Sequence, residues 1–327
     1  MNHPRRRATL TCLAAGLLTA ALPAVSAAAY PDKPIRLVVP FTPGQGADIL
    51  ARLIGQHLAA ALGQPIVVEN KVGAGGIIGT AFAAKAAPDG YTLYMGSSGP
   101  LAIGPHVYKA VGFDTLKDFA PISNIASVTQ VLVTAPASQL ASAKDVVERA
   151  RAQPGMVPFG SAGSGTTSHL TMELFTQMSG ISLSHVPYKG SSTSMIDVMA
   201  GRVPLMFDSL PGVLTNVKSG SLRAIAVASA QRDPLLPNVP TVAESGVPGF
   251  ATSGWIGLLA PARTPPQIVD QLHTAVAKAL KSEAVKKRMS ELAFTPIGNS
   301  PAEFQTFLSK EVALWGGVAA KAGVQKE

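Results

Sequence analysis

Two rhythms of apolar and polar positions alternate along this chain. Ile35-Arg36-Leu37-Val38-Val39 is an apolar run of strand length, and after Pro40 to Gly46 the residues Leu50, Leu53, Ile54, Leu58 and Leu62 recur at helical spacing. Gly63 stops that helix. Ile66-Val67-Val68 reads as the next strand, followed by a glycine-rich loop and an alanine-rich helix up to Lys85. Pro88-Asp89-Gly90 then turns the chain into a strand from Tyr91 to Met95. Strand, turn, helix and strand in that order predict right-handed parallel crossovers in an α/β fold.

The middle of the chain repeats the pattern. Val131-Leu132-Val133 predicts a strand, Ser142 with Asp145 a capped helix start, and Val157 to Gly160 another strand. Leu170, Leu174, Phe175 and Met178 mark one face of the next helix, and strands are expected over Leu183 to Tyr188, Val203 to Phe207 and Leu222 to Ala228. A proline-rich stretch, Pro234 to Gly249, precedes the apolar run Gly254 to Leu259. Three helices close the chain: one from Thr264-Pro265-Pro266, one over Ser282 to Leu292, and one capped by Ser300-Pro301-Ala302-Glu303. There is no solenoid-length repeat and no long Gly/Ser linker, so two lobes would have to be joined by crossing strands.

The N-terminus follows a different pattern. Arg5, Arg6 and Arg7 precede an uncharged run from Ala8 to Val25, and Ala27-Ala28-Ala29 offers a cleavage site ahead of Tyr30. A secretory signal peptide is expected over residues 1–29, because the run is short and lacks a stop-transfer flank. The arginines leave general and twin-arginine export both open. The only cysteine, Cys12, lies in this leader, and Thr9-Leu10-Thr11 before it is no lipobox. The exported chain would therefore contain no disulfide, thiolate metal ligand or cysteine nucleophile. Cleavage after Ala29 leaves 298 residues, enough for two ordinary domains. Without the three leader arginines, 24 basic side chains face 19 acidic ones, a net +5. That excess is scattered and aromatics are few, which argues against a nucleic-acid partner and suits a small anionic ligand.

Local motifs for catalysis are missing. No Gly-Lys pair exists for a P-loop, and Gly73, Gly75, Gly76 and Gly79 lack the dinucleotide spacing. None of Ser97, Ser98, Ser161 or Ser164 sits in Gly-x-Ser-x-Gly. His57, His106, His169 and His185 show no zinc-ligand spacing, and no close carboxylate pair suggests acid/base work. No cofactor or metal is expected. An enzyme assembled from distant residues stays open as an alternative.

Backbone donors are the positive signal. Pro40-Phe41-Thr42-Pro43-Gly44-Gln45-Gly46-Ala47-Asp48 joins a strand to a helix, and Gly160-Ser161-Ala162-Gly163-Ser164-Gly165-Thr166-Thr167-Ser168 does so in the second half while adding hydroxyls. Small residues before a helix N-terminus leave N–H groups open to an anion, although each loop by itself also reads as a tight turn. Asp48 reads as support for its helix end with Arg52 one turn on, since an inward carboxylate would repel an anion. Asp208 reads either as an acceptor for a ligand hydroxyl or ammonium, or as a turn cap. Lys189 reads either as a charge offered to the ligand or as a solvated side chain.

As a set, these segments closely resemble the periplasmic receptors of tripartite tricarboxylate transporters, the Bug family. The matching residues run from Tyr30-Pro31 to Ile35, from Pro40-Phe41 to Arg52, and from Val68-Glu69-Asn70 to Gly76. They continue through Pro88 to Leu93, Gly160-Ser161 to Leu170, His185-Val186-Pro187-Tyr188-Lys189-Gly190, and Pro240-Thr241 to Gly246, covering essentially the whole exported chain. The resemblance implies a two-lobed periplasmic-binding-protein fold of the Venus-flytrap type. Residues 30–130 with 255–327 would form lobe one and 131–254 lobe two. Crossings are expected near Gln130 to Thr134 and Trp255 to Leu259.

It also implies a periplasmic, non-enzymatic receptor that acts as a monomer and passes a small carboxylate to two integral-membrane carrier subunits. Contacts carried over by resemblance are Phe41, Gly44, Ala47, Ser97, Ser161, Ser164, Thr166, Tyr188 and Asp208, with Ser98 and Thr167 beside them. Gln45 departs from the family, which commonly has a second glycine there; it either enters the cleft to select the distal end of the ligand or faces solvent. A ligand-sensing adaptor for a signalling partner is the other alternative. The ligand itself stays open among dicarboxylates, tricarboxylates, amino acids and aromatic acids.

Overall fold

The computed structural model describes residues 30–323 and 326; the expected leader with Cys12 lies outside them. In chain order the elements are β1 (Ile35–Val39), α1 (Gly46–Leu62), β2 (Ile66–Asn70), α2 (Ile77–Ala84), β3 (Thr92–Ser97), α3 (Gly104–Val107), β4 (Phe119–Val128) and β5 (Gln130–Thr134). Then come α4 (Ala143–Ala152), β6 (Pro158–Ser161), α5 (Thr167–Ser179), β7 (Ser184–Pro187), α6 (Ser191–Met199), β8 (Leu205–Ser209), α7 (Leu210–Lys218) and β9 (Arg223–Val227). The chain ends with β10 (Gly254–Pro261), α8 (Pro266–Lys281), α9 (Glu283–Glu291), β11 (Thr295–Pro296) and α10 (Pro301–Lys321). Among the described residues no helix is long and apolar enough to cross a membrane.

Two separate sheets organise these elements. One has the order β11-β4-β10-β3-β1-β2, the other β7-β6-β8-β5-β9. β1 pairs in parallel with β2 and β3, and β6 in parallel with β7 and β8, as the crossover reading expects. β10 and β5 run antiparallel to their neighbours, so each sheet is mixed. The first passage between sheets is the single residue Thr129: Val128 still pairs with Gly254, and Gln130 already pairs with Ser209. The return is the irregular stretch from Ala228 to Ser253. The segments expected as crossings, Gln130 to Thr134 and Trp255 to Leu259, lie inside the ladders, immediately beyond these passages. In the first passage the Thr129 hydroxyl donates to Asp233, both buried, at 2.8 Å.

Period-two alternation explains the cores. Ile35, Leu37 and Val39 face one way, onto Leu50, Ile54 and Leu58 of α1 and Leu272 and Val276 of α8. Val38 faces the other way, in a cluster with Tyr94, Phe304, Leu308 and Trp315. In the second sheet Leu132, Phe159, Leu205 and Phe207 pack with Val146 and Phe175, while Val131, Val133 and Met206 pack with Val198 and Val213. α10 serves both halves: Leu170 of α5 belongs to its cluster, and Gln177 Nε2 donates to Val318 O at 2.8 Å. The expected helix caps are present, with Ser142 accepting from Asp145 N and Ser300 forming a full capping box with Glu303.

β4, α6 and α7 were not legible in the sequence. β4 buries Ser123 and Asn124 in the middle of the first sheet, which destroys the apolar signature of a strand. Asn299 meets part of this polarity, accepting from the Asn124 backbone N–H at 2.9 Å through its side chain and from the Ser123 hydroxyl at 2.9 Å through its carbonyl, while Asn124 Oδ1 has no partner among the described residues.

Candidate functional site

Parallel strands put their carboxyl ends on one edge, and ligands of open α/β sheets gather there. In the first sheet this edge carries the loops after β1 and β3; in the second it carries those after β6, β7 and β8. The two edges meet. Ser98 and Thr167 hydroxyls lie 3.2 Å apart across the sheets, and Val107 of α3 packs where a side chain at Gly165 would have to go. Gly76 sits between Pro40 and Pro100 with no room for a larger side chain, so the loops after β1 and β3 lie side by side.

The first loop is braced by charge. Asp48 is buried at 2 % exposure, and its carboxylate accepts from Gly44 N at 2.9 Å, from Asn70 Nδ2 at 2.9 Å and from Arg52 through two nitrogens at 2.9 and 3.0 Å. Asn70 also donates to Phe41 O at 2.8 Å. Burial works to raise the Asp48 pKa, yet the hydrogen bonds from Arg52, Gly44 and Asn70 together outweigh it and hold the carboxyl below the ordinary range. Asp48 therefore points into its own loop, as the supporting role predicts. The N-cap residue Gln45 makes no side-chain cap bond. Among the described residues the N–H groups of Gly46, Ala47 and Asp48 have no hydrogen-bond partner, so the start of α1 stays an open donor set.

The second loop is braced by neutral groups. Thr166 caps α5 by accepting from His169 N at 3.4 Å and donates its own hydroxyl proton to Gly163 O at 2.7 Å. Gly163 N donates to Ser161 Oγ at 3.1 Å, and Gly165 N to His169 Nδ1 at 3.2 Å. Ser161 Oγ lies 2.6 Å from His185 Nε2, and the His169 and His185 rings stack 3.8 Å apart at 8°. Burial, reinforced by His169, pushes the His185 pKa down to about 3, so this ring is neutral at physiological pH. The N–H groups of Ala162 and Ser164 have no partner among the described residues.

The sequence-predicted residues fall into three groups. Gly44, Gln45 and Ala47 sit at the entry to α1, with Phe41 just before it; Ser97 and Ser98 end β3; Ser164, Thr166 and Thr167 lead into α5. These lie on the facing edges, and Gln45 is solvent-exposed in this conformation. Ser161 is fully buried and engaged by Gly163 and His185, and the Tyr188 phenol donates to Asp197 at 2.6 Å. The Ser161 hydroxyl therefore braces its loop from within, while that of half-buried Tyr188 is turned to Asp197, itself paired with the exposed Arg202.

Asp208, at the end of β8, is buried and accepts from Ser209 N at 2.7 Å and from the Ser191 hydroxyl. Burial, opposed by Ser209 and by no cation, pushes its pKa up to about 7. Lys189 is exposed. Sequence reasoning missed Asn70, His169, His185 and Ser191 as site-shaping residues. His169 lies only four residues beyond Gly165, but Asn70, His185 and Ser191 come from other elements, and no local pattern marks any of the four as a brace.

Neither loop contains a lysine or arginine. What they share is a set of unpaired N–H groups and hydroxyls at two helix starts, the donor chemistry of an anion site. Residues 50–324 match the family described as the tripartite tricarboxylate transporter family receptor. The chain belongs to this receptor family.

Protein BugT of Bordetella pertussis is 39 % identical over 302 residues, covering 92 % of this chain and 93 % of that protein. An R. palustris protein solved with adipate is 38 % identical with a TM-score of 0.85, over 91 % of this chain and all of that one. MatC from Rhodopseudomonas palustris, solved with bound malate, is 30 % identical with a TM-score of 0.80, over 88 % and 99 % of the two chains. The receptor is thus a solute-binding protein of the periplasmic type, with the mixed α/β two-sheet architecture of its relatives.

Proposed function

We propose that this receptor captures a small dicarboxylate between its two sheets and hands it to two integral-membrane carrier subunits, acting as a monomer after removal of a leader near Ala29 and performing no chemistry on its cargo. The observation that carries this reading is the pair of cation-free donor loops, one on the carboxyl edge of each sheet, with those edges in contact where Ser98, after β3, lies 3.2 Å from Thr167. One carboxylate would be held by the N–H groups at the start of α1, with Ser97 and Ser98 beside them. The hydroxyls and N–H groups of Ser164, Thr166 and Thr167 would complete the site from the second sheet.

Residues 30–130 with 255–327 would move as one lobe and 131–254 as the other, hinging at Thr129 and in the 228–253 stretch. A ligand that bridges both loops only when they approach favours the closed state by its differential affinity. Adipate and malate, carried by two relatives, set the size to try first.

A thermal-shift screen of the protein lacking residues 1–29, with each carboxylate paired to its amide, tests the reading. A ligand at ~100 times its dissociation constant adds ~2.7 kcal/mol of stability. Stabilisation by an acid but not by its amide supports carboxylate capture. Absence of any shift after unfolding and refolding to strip bound ligand would refute it.

A further inference from the structure

The stacked histidines do more than fill a core. His169 is almost fully buried, and its Nδ1 accepts from Gly165 N–H, which places its single proton on Nε2, 3.5 Å from Glu173 Oε1. Ser161 Oγ accepts from Gly163 N–H and lies 2.6 Å from His185 Nε2, to which its hydroxyl is free to donate. Phe159 extends the stack, with its ring 4.9 Å from His185. Two alternate N–H groups of the loop, Gly163 and Gly165, are thereby turned inward onto the histidine pair. Their neighbours Ala162 and Ser164 are left without partners among the described residues.

We propose that His169 and His185 are positioning residues for ligand capture: as stacked rings that anchor Gly165 N–H and the Ser161 hydroxyl, they fix the Gly160–Ser168 loop with its remaining N–H groups free for the ligand. This rests on the reading of that loop as half of the binding site.

The reason is one of donor counting. Gly165 N–H can only donate, so it needs an acceptor at His169 Nδ1, whereas the Ser161 hydroxyl can rotate to meet either tautomer of His185. Among the described residues the charged group in contact with the pair is Glu173, on α5, at the His169 nitrogen facing away from the loop. The other packed elements present Phe159 from β6 and Ser161 and Gly165 from the loop itself, with Val107 of α3 against Gly165.

The test uses residues 30–327 and three readouts. Histidine nitrogen NMR should find Nδ1 of His169 unprotonated at neutral pH; a proton there overturns the proposal. Hydrogen exchange of the Gly163 and Gly165 amides, corrected for intrinsic rate, should lose about tenfold or more protection in His169→Ala, which removes the acceptor of Gly165 N–H. His169→Asn, whose carbonyl replaces Nδ1 as acceptor, should keep that protection.

Adipate and malate affinities should fall in His169→Ala and recover in His169→Asn. Unchanged amide protection in His169→Ala overturns the positioning role, whatever binds. A loop that loses protection in His169→Ala, in a protein that binds no carboxylate, overturns the reading of the site instead.

Discussion

The two loops that begin α1 and α5 do the same job with opposite materials. The first is tied by an ionised carboxylate, Asp48, gathering Gly44, Asn70 and Arg52; the second by two stacked imidazoles and two hydroxyls. The same contrast separates the two buried aspartates. Asp48, with a guanidinium partner, stays ionised, while burial pushes Asp208, with only Ser209 N and the Ser191 hydroxyl, up to about 7. At Asp48 hydrogen bonds and a cation together outweigh desolvation; at Asp208 two hydrogen bonds do not. One half of the site therefore rests on a fixed charge, and the other on hydrogen bonds among hydroxyls, amides and rings.

Removing the charged brace should have the largest effect. Asp48→Ala leaves Gly44 N–H and Asn70 without their acceptor, and is expected to cost about 2–4 kcal/mol in urea unfolding and to lower ligand affinity sharply. Asp48→Asn should retain part of both. Wild-type affinity in Asp48→Ala would break the comparison, because the first loop would then need no charge. Ser164→Pro deletes a free N–H from the second loop without touching its braces. Calorimetry should show affinity falling by about tenfold or more, with unchanged unfolding; unchanged affinity would exclude Ser164 as a contact.

Asp208→Asn sharpens the contrast between the acids. A folded pKa of about 7, against about 3.9 unfolded, means that the native state holds an extra proton between those values. Wild-type stability from this group is thus complete below about pH 3.9 and lost as pH rises to about 7. The amide, which does not titrate, should show a relative gain of about 1–2 kcal/mol that grows across this window and is level above it. A constant difference between denaturation midpoints across pH would refute the raised value.

The smallest effect is that of His185. Its folded value of about 3 lies below the unfolded ~6.5, so its contribution is complete above ~6.5 and declines as pH falls from there towards about 3. Asp48, held below the ordinary carboxylate range, gives up its contribution only in stronger acid, as pH falls through its folded value. Between about pH 6.5 and pH 4, loss of stability should therefore be shallower in His185→Gln than in the wild type. Equal slopes would mean that the neutral brace is not titrating.

Much of this organisation was legible because it is periodic or capped. β1, α1 and the α10 capping box follow from local spacing, and so did the expectation that Asp48 serves Arg52 and its own helix end. β4 was not legible: its Ser123 hydroxyl and the Asn124 backbone N–H find their acceptor in Asn299, far along the chain. Ser161 entered as a ligand contact through the family resemblance. That His185, arriving from the neighbouring strand, lies 2.6 Å from its hydroxyl was visible only in the fold.

By itself the sequence determined the α/β alternation, the two donor loops, their lack of cations and the family to which they belong. These are properties of neighbouring residues, set by spacing, glycine content and charge. Only the tertiary structure decided which donors stay free, that His185 is neutral and which aspartate keeps its charge. Those outcomes depend on burial and on contacts such as Asn70 with Asp48 and His185 with Ser161, between separate elements, which no local pattern encodes.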